Sequence, residues 1–439
     1  MIDHLYNLPA DWSRKRLKFA AFIDTSGIWG GEPGERERDL PTITTANIDN
    51  LGRVDLSNAS VRSYTVSEAE YYRCRPGDII VVKASGSATS IITGKCAQCA
   101  KEDGEYCFGN FTLRVRADEI WLSDRFLFYF LISEVTKERI KVMVSTTTYP
   151  NLKVGEYIGH ELPLPPLETQ RRIAQFLDEK TARIDGLIEK KRALLDRLAE
   201  KRQALITRAV TKGLNPDAPM RPSGIDWLGD IPAHWEVKRL RFLLDGGTIN
   251  GLYKPKDQFT VDGVAFVQMG EAFRGVTFDG GTNDRVLAST LEVKKWGLKE
   301  GDFLIARRSL VFEGSGKSVR ISHLSEDHLF ESSMIRIRPL HAEKISGFLS
   351  YYFQSAICRA AILSITKQVT ISGIDSQQLR DIWVPVPPLD EALAIWKACI
   401  QSDNEHEAVG ERIRESINQL AEYRAALITA AVTGQLEVP

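Results

Sequence analysis

An internal repeat constrains this 439-residue chain more strongly than any other feature of its sequence. The stretch "LPADWSRKRLKF" (8–19) returns as "IPAHWEVKRLRF" (231–242). Three further blocks recur at a shift of 222 residues, namely 108–131 as 330–353, 162–169 as 384–391, and 202–211 as 424–433. One shift shared by separated blocks indicates a tandem duplication, so the two halves are expected to fold on the same plan.

Each half is predicted to contain a β-rich domain followed by one long helix. Segments such as "GDIIVVKAS" (77–85) and "GDFLIARRS" (301–309) have the composition of short strands, and glycine, proline and asparagine mark the turns. Consecutive prolines then end each globular part, because they cannot continue a sheet or enter the interior of a helix. We therefore predict an α+β fold with four segments: a first domain over 1–166, a helix over 167–213, a linker and second domain over 214–388, and a second helix over 389–439.

The segment from Glu168 to Lys212 contains no proline and a single glycine, Gly186. At ~1.5 Å per residue such a helix is roughly 65 Å long, which exceeds the width of one such domain. Its apolar residues follow coiled-coil spacings, and the seam resumes in the second helix: Leu177, Ile184, Ile188, Leu195, Leu198, Leu205, Ile417, Leu420 and Leu427. We expect the two helices to pair, although a surface helix folded on its own domain would show a similar pattern.

The charges of the two helical segments also favour pairing. Residues 168–212 carry twelve basic and seven acidic side chains, whereas residues 390–434 carry four basic and eight acidic ones. Opposite net charge favours the association of two helices of similar length. Two independently solvated helix faces are the alternative.

The stretch "VFEGSGKSVR" (311–320) looks like a phosphate-binding loop but lacks its first glycine. The full motif requires glycine five positions before the Gly-Lys pair, and Val311 stands there. The first copy of the repeat has Gly94 and Lys95 at the matching position, followed by Cys96 where the second copy has Ser318. A Gly-Lys pair shared by both copies is expected to be a loop of the repeated domain, without nucleotide binding or hydrolysis.

The bulk composition is that of an ordinary globular protein, with 43% hydrophobic and 26% charged residues. No run of 18 or more apolar residues and no signal-peptide pattern occurs, which favours a cytoplasmic protein without a membrane partner. A formal net charge of −1 gives no global indication of nucleic-acid binding, so such binding has to rest on local charge.

Four cysteines of the first half raise the question of a metal site. Cys74, Cys96, Cys99 and Cys107 include one Cys-x-x-Cys pair, which is half of a possible zinc site. The second copy carries no cysteine opposite the last three, where it has Ser318, Ile321 and Leu329. We therefore favour free, partly buried thiols and expect no metal.

Catalytic motifs are missing as well. Asp284 with Glu292 and Lys294 has the spacing of a metal-dependent nuclease, but a solvated helix face explains these residues better. The sequence contains no Gly-x-Ser-x-Gly nucleophile elbow, no His-Glu-x-x-His and no dinucleotide-binding glycine fingerprint. It also lacks the Asn-Pro-Pro-Phe or Asp-Pro-Pro-Tyr tetrapeptide of adenine methyltransferases. We expect a chain that is not an enzyme and that holds no cofactor.

The first junction, "LPLPPLETQRRIAQFLDEK" (162–180), resembles type I restriction–modification specificity subunits, and the resemblance extends over the whole chain. The matching positions are Pro163, Pro165, Pro166, Leu167, Gln170, Arg171, Ile173, Leu177 and Asp178. The resemblance implies two target-recognition domains, over 1–166 and 214–388, and two antiparallel helices that set the distance between them. Each domain would read one half of a bipartite sequence in double-stranded DNA.

The same resemblance implies partner proteins. Two DNA adenine methyltransferase subunits would dock on the chain, and ATP-dependent restriction subunits would join them. S-adenosylmethionine and ATP are then expected on those partners. Two rival hypotheses remain, a helical scaffold that binds only protein and a self-sufficient nucleic-acid-modifying enzyme, and salt-dependent DNA binding would separate the scaffold from a DNA reader.

The second junction departs from the family pattern. It keeps Pro387, Pro388, Leu389, Asp390 and Glu391 but lacks the Gln-Arg pair of the first junction. It also places His406 and Gly410 opposite the seam residues Ile184 and Ile188. A glycine inside a helix costs ~1 kcal/mol relative to alanine, so we expect fraying or a kink in the first third of this helix.

Candidate DNA-binding residues lie where polar side chains cluster without the period of a helix or strand. Hydroxyls, amides and cations of this kind contact phosphates and base edges, although plain turns have the same composition. In the first domain the candidates are Thr44, Thr45, Asn47, Lys83, Ser85, Ser87, Thr89, Lys95, Thr147, Tyr149 and Asn151. In the second domain they are Gln268, Arg307, Arg308, Ser309, Lys317, Lys367, Gln368 and Thr370.

Overall fold

A computed structural model describes residues 8–84, 92–145, 150–368 and 372–439, with Ser145 and Gln368 described by their backbone alone. The chain forms two compact units. Unit 1 comprises Met1–Arg192 together with Arg414–Pro439, and unit 2 comprises Ala193–Ile413. Each unit therefore contains one part of each long helix.

Unit 1 is a mixed α+β structure. Its strands are β1 (Ser13–Arg16), β2 (Ala21–Asp24), β3 (Arg38–Ile43), β4 (Ser60–Tyr64), β5 (Ile79–Val82), β6 (Cys96–Gln98), β7 (Cys107–Phe108), β8 (Thr112–Ala117), β9 (Val144–Ser145), β10 (Asn151–Leu152) and β11 (Glu161–Leu164). Its helices are α1 (Val66–Tyr72), α2 (Asp124–Ile132), α3 (Glu134–Met143), α4 (Val154–Gly159) and the first part of α5 (Leu167–Lys212).

The central strand of unit 1 is β5, in an antiparallel sheet of order β2-β8-β5-β6. Its four aliphatic side chains are fully buried, because both faces of the strand are covered. Ile79 and Val81 pack in a core with α2 and α5, and Ile80 and Val82 pack in a second core on the other face. This alternation is the period of two expected for a strand. A second sheet has the order β4-β3-β7, and β1 pairs with β11.

Unit 2 has the same kinds of elements. Its strands are β12 (Met220–Pro222), β13 (Asp230–Pro232), β14 (Glu236–Arg239), β15 (Ile249–Asn250), β16 (Phe259–Val267), β17 (Thr277–Phe278), β18 (Arg285–Val286), β19 (Phe303–Ala306), β20 (Arg308–Ser309), β21 (Ser318–Ile321), β22 (His328–Phe330), β23 (Met334–Ile337), β24 (Lys367–Gln368), β25 (Ser372–Gly373) and β26 (Trp383–Val386). Its helices are α6 (Met269–Ala272), α7 (Thr290–Trp296), α8 (Ala342–Gln354), α9 (Ala356–Ser364), α10 (Ser376–Arg380) and the first part of α11 (Leu389–Val432).

The strand order of unit 2 repeats that of unit 1, with β17 as an additional edge strand of the central sheet. Its central sheet runs β15-β23-β19-β21-β17, so that β19 occupies the place of β5. Strand β16 pairs antiparallel with β18 and parallel with β22, as β3 pairs with β4 and β7. The pair β14-β26 repeats β1-β11. The predicted α+β duplication is therefore confirmed in the order and direction of the strands.

Both long helices are continuous, with 46 residues in α5 and 44 in α11. The fraying expected in α11 is absent, because the helix runs unbroken from Leu389 to Val432 through the buried Gly410. Packing along the helix therefore outweighs the local cost of one glycine. In the described part of the chain, no helix combines the length and apolar character that crossing a membrane requires.

The long helices run in opposite directions within unit 1. Arg424 of α11 forms an ion pair with Asp185 of α5, with Nε and Oδ1 2.9 Å apart. Leu177, earlier in α5, shares a core with Ile428 and Val432, which come later in α11. In this ion pair the acidic residue, Asp185, lies on α5, the helix with the positive net charge. The net charges of the two helices therefore do not account for it.

The helices are also antiparallel within unit 2. Arg202 of α5 donates from Nε and Nη2 to the Asp403 carboxylate of α11 at 2.7 and 2.8 Å. Ile206, later in α5, shares a core with Ala392 and Ile395, which come earlier in α11. In this pair the basic residue lies on α5 and the acidic residue on α11, as the net charges of the two helices predict.

The buried face of α5 shifts along its length. Leu177, Ile184 and Ile188 are buried, and the seam residues Leu195 and Leu198 are half-buried. Leu205 departs from the predicted seam, since it is 40% exposed whereas the next residue, Ile206, is 2% exposed. A straight helix drifts by ~20° per heptad, so a strict seven-residue pattern loses the buried face after several turns. In α11 the seam residues Ile417, Leu420 and Leu427 are half-buried.

Candidate functional site

Three short strands bring candidate residues of unit 2 together. Strand β25 lies between β20 and β24, so that Arg308 and Lys367 both pair with Gly373. The carbonyl of Arg307 accepts a hydrogen bond from the backbone N–H of Ile374 at 3.0 Å. Arg308 and Lys367 are exposed. We call strands β20, β24 and β25 end sheet 2, because they follow the end of the central strand β19.

The same arrangement recurs in unit 1. Ala84 bridges to Asn151, which also pairs with Ser145 in β9. The backbone N–H of Leu152 donates to the carbonyl of Lys83 at 2.8 Å. We call Ala84, β9 and β10 end sheet 1. Lys83 and the exposed Asn151, two candidates from separate loops, therefore lie side by side at the end of the central strand β5.

Some candidates cannot be placed. Ser85, Ser87, Thr89, Thr147, Tyr149 and Thr370 lie outside the described residues, as does the side chain of Gln368. In the sequence, these residues adjoin the strands of the two end sheets.

The shared Gly-Lys pair has a structural explanation in both units. Gly94 and Gly316 have positive φ angles of 85° and 67°, which favour glycine. A Cβ at these positions would collide with Ile140 and Ile362 respectively, each on the helix packed against the loop. The glycine is therefore required by the backbone conformation and the packing of this loop. The following lysines differ in exposure, since Lys95 is half-buried and Lys317 is exposed.

An ion pair with a buried carboxylate supports the start of each central strand. In unit 1 the Arg116 guanidinium donates to both oxygens of Asp78 at 2.6 and 2.7 Å, and in unit 2 Arg338 donates to Asp302 at 2.7 Å twice. Both carboxylates are 1% exposed. Hydrogen bonds to these carboxylates raise the pKa of Arg116 and of Arg338. The arginines that recur in the repeat thus hold the frame that carries each end sheet.

A tyrosine anchors each domain on the long helix that follows it. The Tyr129 hydroxyl donates to Asp178 of α5 at 2.7 Å, and the Tyr351 hydroxyl donates to Asp403 of α11 at 2.8 Å. The cation that joins the carboxylate differs between the units. Arg125 of the same domain donates to Asp178 at 2.6 Å, whereas Asp403 accepts hydrogen bonds from Arg202 of α5.

The hydrogen bonds of Gln170 explain why the first junction has a glutamine at this position. Its side-chain amide donates to the carbonyls of Trp121 and Pro165 at 2.9 and 2.8 Å, and its oxygen accepts from the backbone of Ser123 at 2.8 Å. It is fully buried, so this network fixes the domain to the start of α5. Unit 2 has the fully buried Ala392 at the matching position and therefore lacks these side-chain bonds.

Asn47 is better explained as a structural residue than as a DNA contact. It is 4% exposed, and its amide oxygen accepts from Thr44 N and Oγ1 at 2.8 and 2.9 Å. Its amide nitrogen donates to the carbonyl of Asp55 at 3.0 Å. These bonds close a turn, so we leave Asn47 out of the interface. Thr44 and the neighbouring Thr45 are half-buried.

Three further candidates have partners inside the protein. Gln268 is half-buried and donates to the carboxylate of Asp284. The Lys83 ammonium donates to the carbonyl of Thr25 at 3.2 Å, and partial burial lowers the pKa of Lys83. The half-buried Ser309 accepts a hydrogen bond from Val311 N at 3.2 Å. These bonds orient the side chains.

Apolar side chains that the polar clusters of the sequence do not mark lie beside both end sheets. Leu310 and Val311 follow β20 directly and are 87% and 61% exposed. Phe111 is 57% exposed, and its carbonyl accepts from the backbone of Lys83 at 2.9 Å. The sequence signal that could have identified Leu310 and Val311 is that two adjacent aliphatic residues stand in the middle of a turn-rich loop.

The cysteines are free and buried, including Cys74, Cys96, Cys99 and Cys107. Burial raises the pKa of Cys96 and of Cys107 to about 12, so these thiols are protonated at neutral pH. Among the residues that the structure describes, no group of three or more His, Cys, Asp or Glu side chains could hold a metal ion.

Two copies of one mixed domain, each anchored on a long helix and each carrying a small sheet at the end of its central strand, define a duplicated two-unit protein. Comparison with known sequences agrees with this class. The Type I restriction modification DNA specificity domain matches the chain twice, over residues 41–197 and 232–419. The chain therefore belongs to the family of type I restriction–modification specificity subunits, a non-catalytic family whose members recognise the DNA target.

Individual relatives are distant in sequence but match most of the chain. The chain is 24% identical over 403 residues to the type I restriction enzyme EcoKI specificity subunit of Escherichia coli, covering 90% of this chain and 82% of that protein. It is 23% identical over 318 residues to the MjaVIII specificity subunit of Methanocaldococcus jannaschii, covering 72% and 71%.

Solved structures share the fold. A chain from a study of complex assembly and conformational transition of the type I R-M system has a TM-score of 0.73 at 19% identity, covering 98% of this chain and 100% of that one. The crystal structure of the HsdS subunit from Thermoanaerobacter tengcongensis has a TM-score of 0.55 at 18% identity, covering 99% and 100%.

Proposed function

We propose that each unit reads one half of a bipartite DNA sequence through its end sheet and the adjoining loops. The observation that carries this proposal is the recurrence of the end sheet at the same end of the same central strand in both units. Exposed cations such as Arg308 and Lys367 suit phosphates, and amides such as Asn151 suit base edges.

We propose that the chain also assembles with partner proteins. Two DNA adenine methyltransferase subunits would bind the chain and carry S-adenosylmethionine, and restriction subunits that hydrolyse ATP would join them. This chain would supply recognition and no reacting group. Membership of the specificity family and the curated relatives, which are named as specificity subunits of restriction enzymes, support this division of labour.

A domain exchange tests the assignment of one unit to one half-site. Residues 1–166 are replaced by the matching domain of a relative, so that β1 and β11 move together and the junction falls before α5. Adenine methylation is then mapped in cells that express the hybrid with the methyltransferase. We expect one half of the methylated motif to change and the other half to stay the same.

The reciprocal exchange of residues 214–388 is the matched control and should change the other half. A hybrid in which both halves change, or neither, would contradict the assignment. A protein-binding scaffold makes a different prediction: the complex would bind DNA with the same affinity and salt dependence whether or not this chain is present.

We further propose that the paired helices set the distance between the half-sites. Four residues inserted after Arg192 in α5 and four after Ile413 in α11 add ~6 Å and rotate each helix by ~40° beyond a full turn. One or two base pairs add ~3.4 to ~7 Å and ~35° to ~70° to the duplex. We expect the unread gap in the methylated motif to widen by one or two base pairs.

Placing the insertion where both helices pass between units leaves the ion pair of Arg202 with Asp403 intact. The same four residues inserted into α5 alone are the control, and should abolish methylation because the two helices no longer match in length. Full activity with an unchanged gap would instead mean that the partner subunits set the spacing.

A further inference from the structure

Two neighbouring aliphatic side chains project into solvent beside end sheet 2. Leu310 and Val311 are 87% and 61% exposed, although apolar side chains of this size ordinarily gain free energy from burial. They lie between Ser309 of β20 and the short helical turn Phe312–Gly314. We call this pair the apolar tip.

The loop that carries the apolar tip is fixed by hydrogen bonds on both sides. Val311 N donates to Ser309 Oγ at 3.2 Å, and Gly314 N donates to the carbonyl of Val311 at 2.9 Å. The Arg359 guanidinium of α9 donates to the carbonyls of Glu313 and Ser315 at 2.8 and 3.2 Å. Because the loop is already ordered, little conformational entropy is lost when the tip meets a ligand.

Exposed cations lie in end sheet 2 and in the loop that carries the apolar tip. Arg308 and Lys367 of end sheet 2 are exposed, and so is Lys317 at the end of the same loop. One exposed acid, Glu313, lies in the loop as well. The balance is positive, which suits a polyanion at this surface.

We propose that the apolar tip contacts the methyl group of a thymine in the half-site read by unit 2. This inference rests on the proposed function and names a specificity determinant within it. The thymine methyl is the apolar group that base edges present in the major groove, and aliphatic side chains are its natural contacts. The apolar tip is flanked by loop backbone on both sides. A loop of this kind fits the major groove, which is about 12 Å wide, but not the minor groove of about 6 Å.

The corresponding position in the first copy has a different character. Counting from the shared Gly-Asp that leads each central strand, Gly86 and Ser87 stand where the second copy has Leu310 and Val311. The proposed thymine contact is therefore specific to the half-site of unit 2.

The test replaces single thymidines by deoxyuridine, which removes only the methyl group. The full chain, in complex with its methyltransferase, is titrated with a duplex that carries the mapped methylation motif. We expect one replacement in the half-site of unit 2 to weaken wild-type binding about fourfold, the value of one buried methyl group at about 0.8 kcal/mol. The double variant Leu310→Ala, Val311→Ala should bind the thymidine and deoxyuridine duplexes alike.

The matched control is Val261→Ala, an 86% exposed aliphatic residue of β16 in the same unit, which should keep the wild-type response. A half-site without any A·T pair would overturn the inference. So would a wild-type affinity that no deoxyuridine replacement changes. So would a double variant that keeps the full deoxyuridine effect. If wild type does not prefer the mapped duplex to a scrambled one, the proposed function itself fails, and this result is distinct from insensitivity to deoxyuridine.

Discussion

The loop after the central strand runs "KASGS" (83–87) in unit 1 and "RRSLV" (307–311) in unit 2. At the other end of the same strands, Asp78 and Asp302 each hold an arginine through two hydrogen bonds of 2.6 to 2.7 Å. The buried frame is thus shared, whereas the sequences that follow the central strands are not. We infer that the duplication kept what folds the domain and left the loops free to diverge, so the two units should recognise different sequences.

The largest effect is expected from cutting the chain in half. In unit 1 the core includes Ile428 and Val432 of α11, and in unit 2 the matching places are filled by Ile206 and Val210 of α5. A fragment of residues 1–213 lacks the α11 segment, but a second copy of the fragment can supply the equivalent part of α5. We therefore expect this fragment to form a dimer, measured as its mass by light scattering.

The control for this fragment carries Ile206→Asp and Val210→Asp, which remove the apolar face that the second copy would provide. It should be monomeric and easily digested by proteases. A folded monomer of the unmodified fragment would show that unit 1 does not need a segment from the second helix.

A smaller effect is expected when the shared frame is broken. Asp78→Ala or Asp302→Ala leaves a partly buried arginine without its carboxylate, which costs about 3 kcal/mol. We expect each substitution to lower the free energy of unfolding of its own unit, measured by hydrogen exchange of the amides in β5 and β19. Asp327→Ala, at an exposed position of unit 2, should change neither strand. Equal protection of both strands in every variant would show that the ion pairs contribute little.

The smallest effect concerns acid stability and distinguishes the units at one position. His160 is 7% exposed, and burial lowers its pKa to about 4, whereas unit 2 has the buried Ile382 at the matching position. The unfolded histidine, with a pKa of ~6.5, takes up a proton before the folded one, so stability falls as the pH drops from 6.5 towards 4. We expect unit 1 to lose about 2 kcal/mol between pH 7 and pH 5 from this residue.

Denaturant unfolding at the two pH values checks this effect, with His160→Leu as the comparison. The variant should lose less stability than wild type on acidification by about that amount. An identical loss in both proteins would show that other groups determine the acid sensitivity.

The sequence predicted the duplicated α+β fold and the two long helices, because repetition, proline stops and apolar periodicity are local signals. It failed where tertiary packing decides. Leu205 continued the heptad pattern, but the drift of the helix buries Ile206 instead. Asn47 had the composition of a contact residue, yet a turn consumes its hydrogen bonds. The exposure of Leu310 follows from how a loop is anchored, which the residue type alone does not reveal.

The discontinuity of unit 1 has a consequence during protein synthesis. Domains generally fold as they leave the ribosome, beginning with the N-terminal one. Here the N-terminal unit includes Arg414–Pro439, whereas unit 2 ends at Ile413. Unit 2 can therefore complete its core first, and unit 1 waits for Arg414–Pro439. A nascent chain that stalls early would expose the unfilled core of unit 1 to proteases. Degradation of such chains would leave only molecules in which both units are folded.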